Sequence, residues 1–119
     1  MDLEKKLKAN LNLESGTLLY ILRDESIFSI QKYNELIYAI YDSNNLELET
    51  EERIHLSSML WEFLFLLLFS LYFDEDANDS FRITDGIDRH KKSELINLLY
   101  DIGNNYRRGK EIVLVECLL

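Results

Sequence analysis

Residues Met59 to Phe73 read MLWEFLFLLLFSLYF, fifteen positions broken only by Glu62 and Ser70, and this run constrains the fold more tightly than any other stretch. A helix so apolar on every side belongs in an interior, so the remaining helices are expected to wrap it. A bilayer span asks for about 20 consecutive apolar residues. This run is shorter, and acids flank it: Glu47, Glu49, Glu51 and Glu52 before, Asp74, Glu75 and Asp76 after. Basic residues and aromatic belts are what membrane edges favour, so the expectation is a core helix and no membrane span. Its start reads at Thr50, where a hydroxyl cap is followed by acids that complement the free amide ends, and its end at about Phe73.

The rest of the chain repeats the helical period. Proline is absent and there are four glycines among 119 residues, so nothing marks a linker, and a single domain over 1–119 is expected. Leu3, Leu7 and Leu11 form one stripe, and Ser15 reads as the cap of a short helix carrying Leu18, Leu19, Ile21 and Leu22. Ile27, Ile30, Tyr33, Ile37, Ile40 and Tyr41 share one face of a third helix. Asp85 or Asp88 caps a helix bearing Leu95, Ile96, Leu98, Leu99, Ile102 and Tyr106, which stops at Gly109. The β-branched tail from Glu111 to Leu119 suggests a strand by composition, yet its one pairing candidate is Ser80 to Thr84; a last packed helix or an extended segment is favoured. The expected fold is all-α: a compact bundle of about five helices around a central helix at about 50–73, with a short C-terminal segment of uncertain type.

Motifs that carry chemistry are incomplete. Asp74 to Asp85 resembles an EF-hand calcium loop over twelve residues, but Asp79 stands where the turn needs glycine, Arg82 sits at the ninth position and Asp85 replaces the bidentate glutamate. Glu52 and His55 form one Glu-x-x-His pair without the second that a di-metal bundle requires, and His90 is expected to pair with Glu94 one turn on. Cys117 lies in an apolar run where a thiol is packing, and Glu62 reads as an exposed edge of the central run. No catalytic residue, metal or cofactor is therefore expected. With one cysteine and no basic, apolar leader at Met1 to Glu4, a reducing cytoplasm is the expected location.

Charge is the remaining signal. The chain carries 22 acidic and 13 basic residues, a net charge of -9, which opposes direct binding to a phosphate backbone and favours a basic protein partner. Residues 47 to 88 hold 11 of the acids against 2 basic residues. The acids sit at both ends of the central helix, roughly 35 Å apart at 1.5 Å per residue. The second cluster opposes the helix macrodipole, so helix stability does not account for it. Asp74, Glu75, Asp76, Asp79, Asp85 and Asp88 are the candidate partner-binding residues, with Tyr72 and Phe81 as aromatic anchors.

In size, acidity and inferred helicity the chain resembles bacterial immunity proteins, which neutralise cationic nuclease toxins of contact-dependent inhibition, polymorphic-toxin or bacteriocin systems. The resemblance implies a protein inhibitor whose acidic surface covers a basic cleft. The alternative is a small acidic secretion chaperone or adaptor that holds a partner segment. An apolar groove beside the central helix would point to the chaperone, and a dry bundle with a charged face to the immunity protein.

Overall fold

Apolar spacings of three and four become helices throughout the described residues, 2–74 and 81–119, of this computed structural model: α1 (Asp2–Leu11), α2 (Leu18–Glu25), α3 (Ile30–Asn44), α4 (Thr50–Phe73), α5 (Arg89–Arg108) and α6 (Leu114–Cys117). No strand occurs among these residues, so the all-α expectation holds, with five longer helices and one helical turn. The central helix is α4, which packs chiefly on α5 and α1 and also touches α2, while α3 lies against α1 and α6. Leu56, Leu60, Phe63, Leu64, Leu67, Leu68 and Leu71 form its buried stripe, meeting Leu3 and Leu7 of α1 and Leu95, Leu99, Ile102 and Tyr106 of α5 in one core. Gly103 lets α5 approach closely. A Cβ there would stand 2.6 Å from the Trp61 ring and 2.9 Å from Leu64.

Polar side chains clamp this arrangement at both ends of α4. Near its start, the Arg53 guanidinium donates to the Asn44 side-chain oxygen at 3.0 Å and to the Tyr106 carbonyl at 2.8 Å, and lies 5.1 Å from the Tyr106 ring centroid. That one residue therefore ties α4 to α3 and α5, and a 2.7 Å hydrogen bond between Ser43 and Tyr106 adds a second link. Near the other end, Lys92 of α5 is only 4% exposed and its ammonium donates to Asp74 at 2.6 Å. A buried cation demands such a partner, because leaving it alone would cost several kcal/mol on the order of a lost buried pair.

Several helix boundaries differ from the sequence expectation, each for a local reason. The hydroxyl that caps α2 belongs to Thr17, not Ser15: its Oγ1 accepts from the Tyr20 amide at 3.3 Å. Ser29 caps α3 by accepting from Lys32, so Ile27 falls outside the helix and forms a parallel bridge with Asp85. Glu49 occupies the cap position of α4 without a side-chain bond, and Thr50 is already the first helical residue. Asp88, as one of the two alternatives had it, caps α5 by accepting from Lys91 at 2.8 Å, and Gly109 ends that helix in the left-handed conformation.

The tail takes the favoured form, a helical turn within an otherwise extended segment, without pairing to residues 81–84. Thr84 donates to the Ser26 carbonyl at 2.7 Å and Phe28 to that of Asp85 at 2.9 Å, so this segment joins the α2–α3 loop, not the C-terminal residues. Gly86 permits the contact, since a Cβ there would fall 1.8 Å from the Phe28 carbonyl oxygen. The tail instead docks on α3. Tyr33 donates its hydroxyl to the Cys117 carbonyl at 2.8 Å, while Asn34 both accepts from the Leu119 amide at 2.9 Å and donates to its carbonyl.

Candidate interaction surface

The expectation that other helices wrap α4 on all sides fails over its second half. Phe65, Leu66, Phe69, Tyr72 and Phe73 are each between 44% and 53% exposed. They lie opposite the stripe of Leu60, Leu64, Leu67 and Leu71, which is 1% exposed or less at every position. α5, α1 and α2 fill the inner arc of α4 and leave the outer one open.

Spacing organises the open rings. Trp61, Phe65, Phe69 and Phe73 recur every four residues, which stacks them along one ridge. Successive ring centroids lie 5.7, 6.5 and 6.0 Å apart, with interplanar angles falling from 39° to 27° to 15°. Tyr100 of α5 braces one side, 6.3 Å from Trp61, and its influence on Tyr72 pushes the Tyr72 hydroxyl above its ordinary pKa.

Two grooves border the ridge. One, of about 300 Å³, lies on the α1 and α2 side between Leu11, Leu13, Leu19, Leu66, Phe73 and Phe81, with Arg23 and Ser70 also in its lining. The Ser70 hydroxyl donates to the Leu66 carbonyl at 3.1 Å, which turns its polarity back into the helix. The other groove, of about 380 Å³, borders the first half of α4 between Ile54, Ser58, Trp61, Glu62, Phe65 and Arg107.

The predicted binding residues are placed differently from one another. Tyr72 is exposed on the aromatic face, and Phe81 is half-buried against the core, lining the first groove. Glu75, Asp76 and Asp79 lie outside the described residues, as do Asn78 and Ser80 of the calcium-like loop. Asp74 has both carboxylate oxygens engaged: one accepts from Lys92 and the other from the Ile83 amide at 2.5 Å. Burial alone would raise its pKa, but Lys92, the Ile83 amide and Arg82 outweigh that and hold it below the ordinary 3.8. Asp85 and Asp88 are exposed; Asp85 accepts from the Gly86 amide, and Asp88 is the α5 cap.

Asp74 and Asp88 line one recess together with Arg82, Arg89 and Lys92. The described part of the acidic cluster is thus interleaved with cations that α5 brings back towards the end of α4. Counting charge along the sequence conceals this, because Lys92 is 18 residues from Asp74.

Groups suited to chemistry are engaged elsewhere. His55 faces Glu4 at 3.3 Å and His90 faces Glu94 at 3.0 Å, the second pair being as expected. Cys117 is buried, and burial, with the nearby Glu116 and Asp101 charges, pushes its thiol above the ordinary range. No group of three His, Cys, Asp or Glu side chains gathers among the described residues, and every buried side-chain nitrogen or oxygen there has a hydrogen-bond partner.

Phe65, Leu66, Phe69 and Phe73 are the surface residues that sequence reasoning missed. The signal was present as an aromatic every fourth residue opposite an unbroken leucine stripe, since a core helix has no need to segregate rings from leucines. Counted over its full 24 residues, α4 is also long and apolar enough to cross a membrane, although 44% of its most apolar stretch is buried within the bundle. Compared with protein-family models, curated proteins and solved structures, the chain has no significant match.

Proposed function

We propose that this chain is a non-catalytic, cytoplasmic protein-binding module whose docking surface is the outer face of α4. The observation that carries the reading is the ridge of half-exposed rings on a bundle whose core is already closed. Aromatic side chains bury roughly 150–250 Å² each, so four half-exposed rings with Leu66 present on the order of 500 Å², near the top of the range that monomers leave open. Aromatic rings are also the side chains in which binding energy concentrates.

The class of binder that fits best is the adaptor or secretion chaperone that holds a segment of a partner. The apolar groove beside the ridge suits a partner that lays down a helix with anchors at every third or fourth position. The net charge of -9 favours a segment with basic flanks and opposes an anionic lipid surface. A toxin-neutralising immunity protein is the second reading. It draws on the same charge and on the exposed Asp85 and Asp88, which would face a basic cleft.

Phe69→Glu and the double variant Asp85→Asn with Asp88→Asn separate the two. Both sites are exposed, and asparagine retains the α5 cap, so helicity by circular dichroism should match the parent. The docking reading expects Phe69→Glu to abolish capture of the partner and the asparagine pair only to slow its association. Capture that survives Phe69→Glu and fails in the asparagine pair would overturn docking on α4 in favour of the acidic surface.

A further inference from the structure

We infer that, while no partner segment is bound, a second copy of this chain closes the aromatic face of α4, the two copies packing antiparallel about a two-fold axis at the level between Phe65 and Phe69. The inference rests on the reading of that face as a docking surface and names its occupant in the resting state.

Shape is the first argument. A two-fold interface uses one patch twice, so the patch must be its own complement. Here a convex ridge, Phe65–Phe69–Phe73, runs alongside a concave groove walled by Leu11, Leu19, Leu66 and Phe81. A two-fold rotation sets the two ridges across each other at the axis, with the grooves of both copies on the same side. The ridge follows the four-residue rows of a helix, which interlock when two such rows cross.

Charge is the second. With the axis at this level, Phe65 of one copy lies across from Phe69 of the other, and Glu62 reaches the level of Tyr72. The groove there is lined by Ser70, Phe73 and Arg23, so each copy brings its Glu62 carboxylate towards the other's Arg23. No charged side chain other than these needs to enter the apolar centre. Area is the third: the roughly 500 Å² of open rings and Leu66, counted over two copies, reaches the roughly 1,000 Å² in total that a specific interface must clear.

The electrostatics of a self-pair also carry a sign that a basic partner cannot share. Two chains of -9 repel, and raising ionic strength from about 0.1 M to about 1 M shortens the screening length from about 10 Å to about 3 Å. The dimer therefore tightens with salt, whereas a complex with a basic protein loosens.

Sedimentation velocity over a concentration series at both ionic strengths tests this on the full chain, with helicity checked by circular dichroism. The parent should pass from monomer to dimer, at lower concentration in high salt. Phe69→Glu should weaken the dimer by roughly 30-fold or more, the scale of losing one central anchor. Glu62→Arg and Arg23→Glu should each weaken it, and the two together should restore it. A parent that stays monomeric at both ionic strengths overturns the inference, as does a dimer indifferent to Phe69→Glu. A monomeric parent whose Phe69→Glu variant still loses its partner overturns the dimer alone and leaves the docking reading standing. A dimer that behaves as described, with partner capture unaffected by Phe69→Glu, supports the dimer and overturns partner docking on α4.

Discussion

The two halves of α4 bury the same kind of stripe and show solvent opposite faces. Leu56 and Leu60 continue into Phe63, Leu64, Leu67 and Leu71 without a break on the inner side. On the outer side the first half carries Glu51, Glu52, His55, Ser58 and Glu62, with Ile54 as its one exposed large apolar residue and half-buried Trp61 where the ridge begins, while the second half carries Phe65, Leu66, Phe69, Tyr72 and Phe73. One helix in one bundle thus folds with either kind of outer surface. The first half demonstrates that the fold asks only for the inner stripe, so the outer aromatics of the second half answer to something other than folding.

Variants that sharpen this comparison span a wide range of effect. Leu67→Ala, on the inner stripe and fully buried, should cost about 2–5 kcal/mol in urea or thermal unfolding. If it costs less than about 1 kcal/mol, the inner stripe is not the core of the second half and the contrast between faces collapses.

Asp74→Asn, at the end of the aromatic half, removes the charge that pairs with buried Lys92 and should cost about 1.5–3 kcal/mol at neutral pH. Because the folded carboxyl titrates below its ordinary 3.8, its contribution is complete above that value and disappears as pH falls through the lowered folded one. Stability measured from pH 6 down to pH 2 should therefore lose part of its acid slope in the variant. An unchanged slope would show that other carboxylates, such as Glu4 beside His55 and Lys8, dominate acid sensitivity.

Gly103→Ala probes the half where α5 comes closest. The added methyl meets the Trp61 ring, so a loss of about 1–3 kcal/mol with a shift in Trp61 fluorescence is expected. A neutral result would mean that α5 can move away, and that the Trp61 end of the ridge is not held rigidly. The smallest effect belongs to Phe69→Ala, on the outer face, which should change stability by less than about 1 kcal/mol. A core-sized loss there would contradict the separation of folding and binding surfaces.

The sequence made the helices legible and the open face illegible, for one physical reason. Periodicity reports which residues avoid water, and α4 from Phe63 onward avoids it on every side. The pattern carries no information on whether neighbours exist to cover each side. Counting the partners was the missing step, since α5, α1 and α2 are those that pack on α4. The caps misplaced at Ser15 and Thr50 have a different cause: Ser15 and Thr17 both offer a hydroxyl at the first boundary, and at the second the helix already includes the single hydroxyl present, so backbone geometry decides each start. The acidic cluster was legible as composition, but its neutralising cations come from α5, and only the fold brings Lys92 to Asp74.

Arg53 and Lys92 fasten opposite ends of α4, and they differ in what acid does to them. The Arg53 clasp joins a guanidinium to an amide oxygen, a carbonyl and a ring, with no carboxylate among its partners. The Lys92 clasp depends on a carboxylate. Acidification consequently loosens the bundle from one end, at the junction of α4's C-terminus with α5's first turns, while the α3–α4–α5 junction holds. Amide hydrogen exchange at falling pH should register this as protection lost first around Ile83 and Lys92 and last around Asn44 and Tyr106, a direction of opening built into which charged group sits at which end.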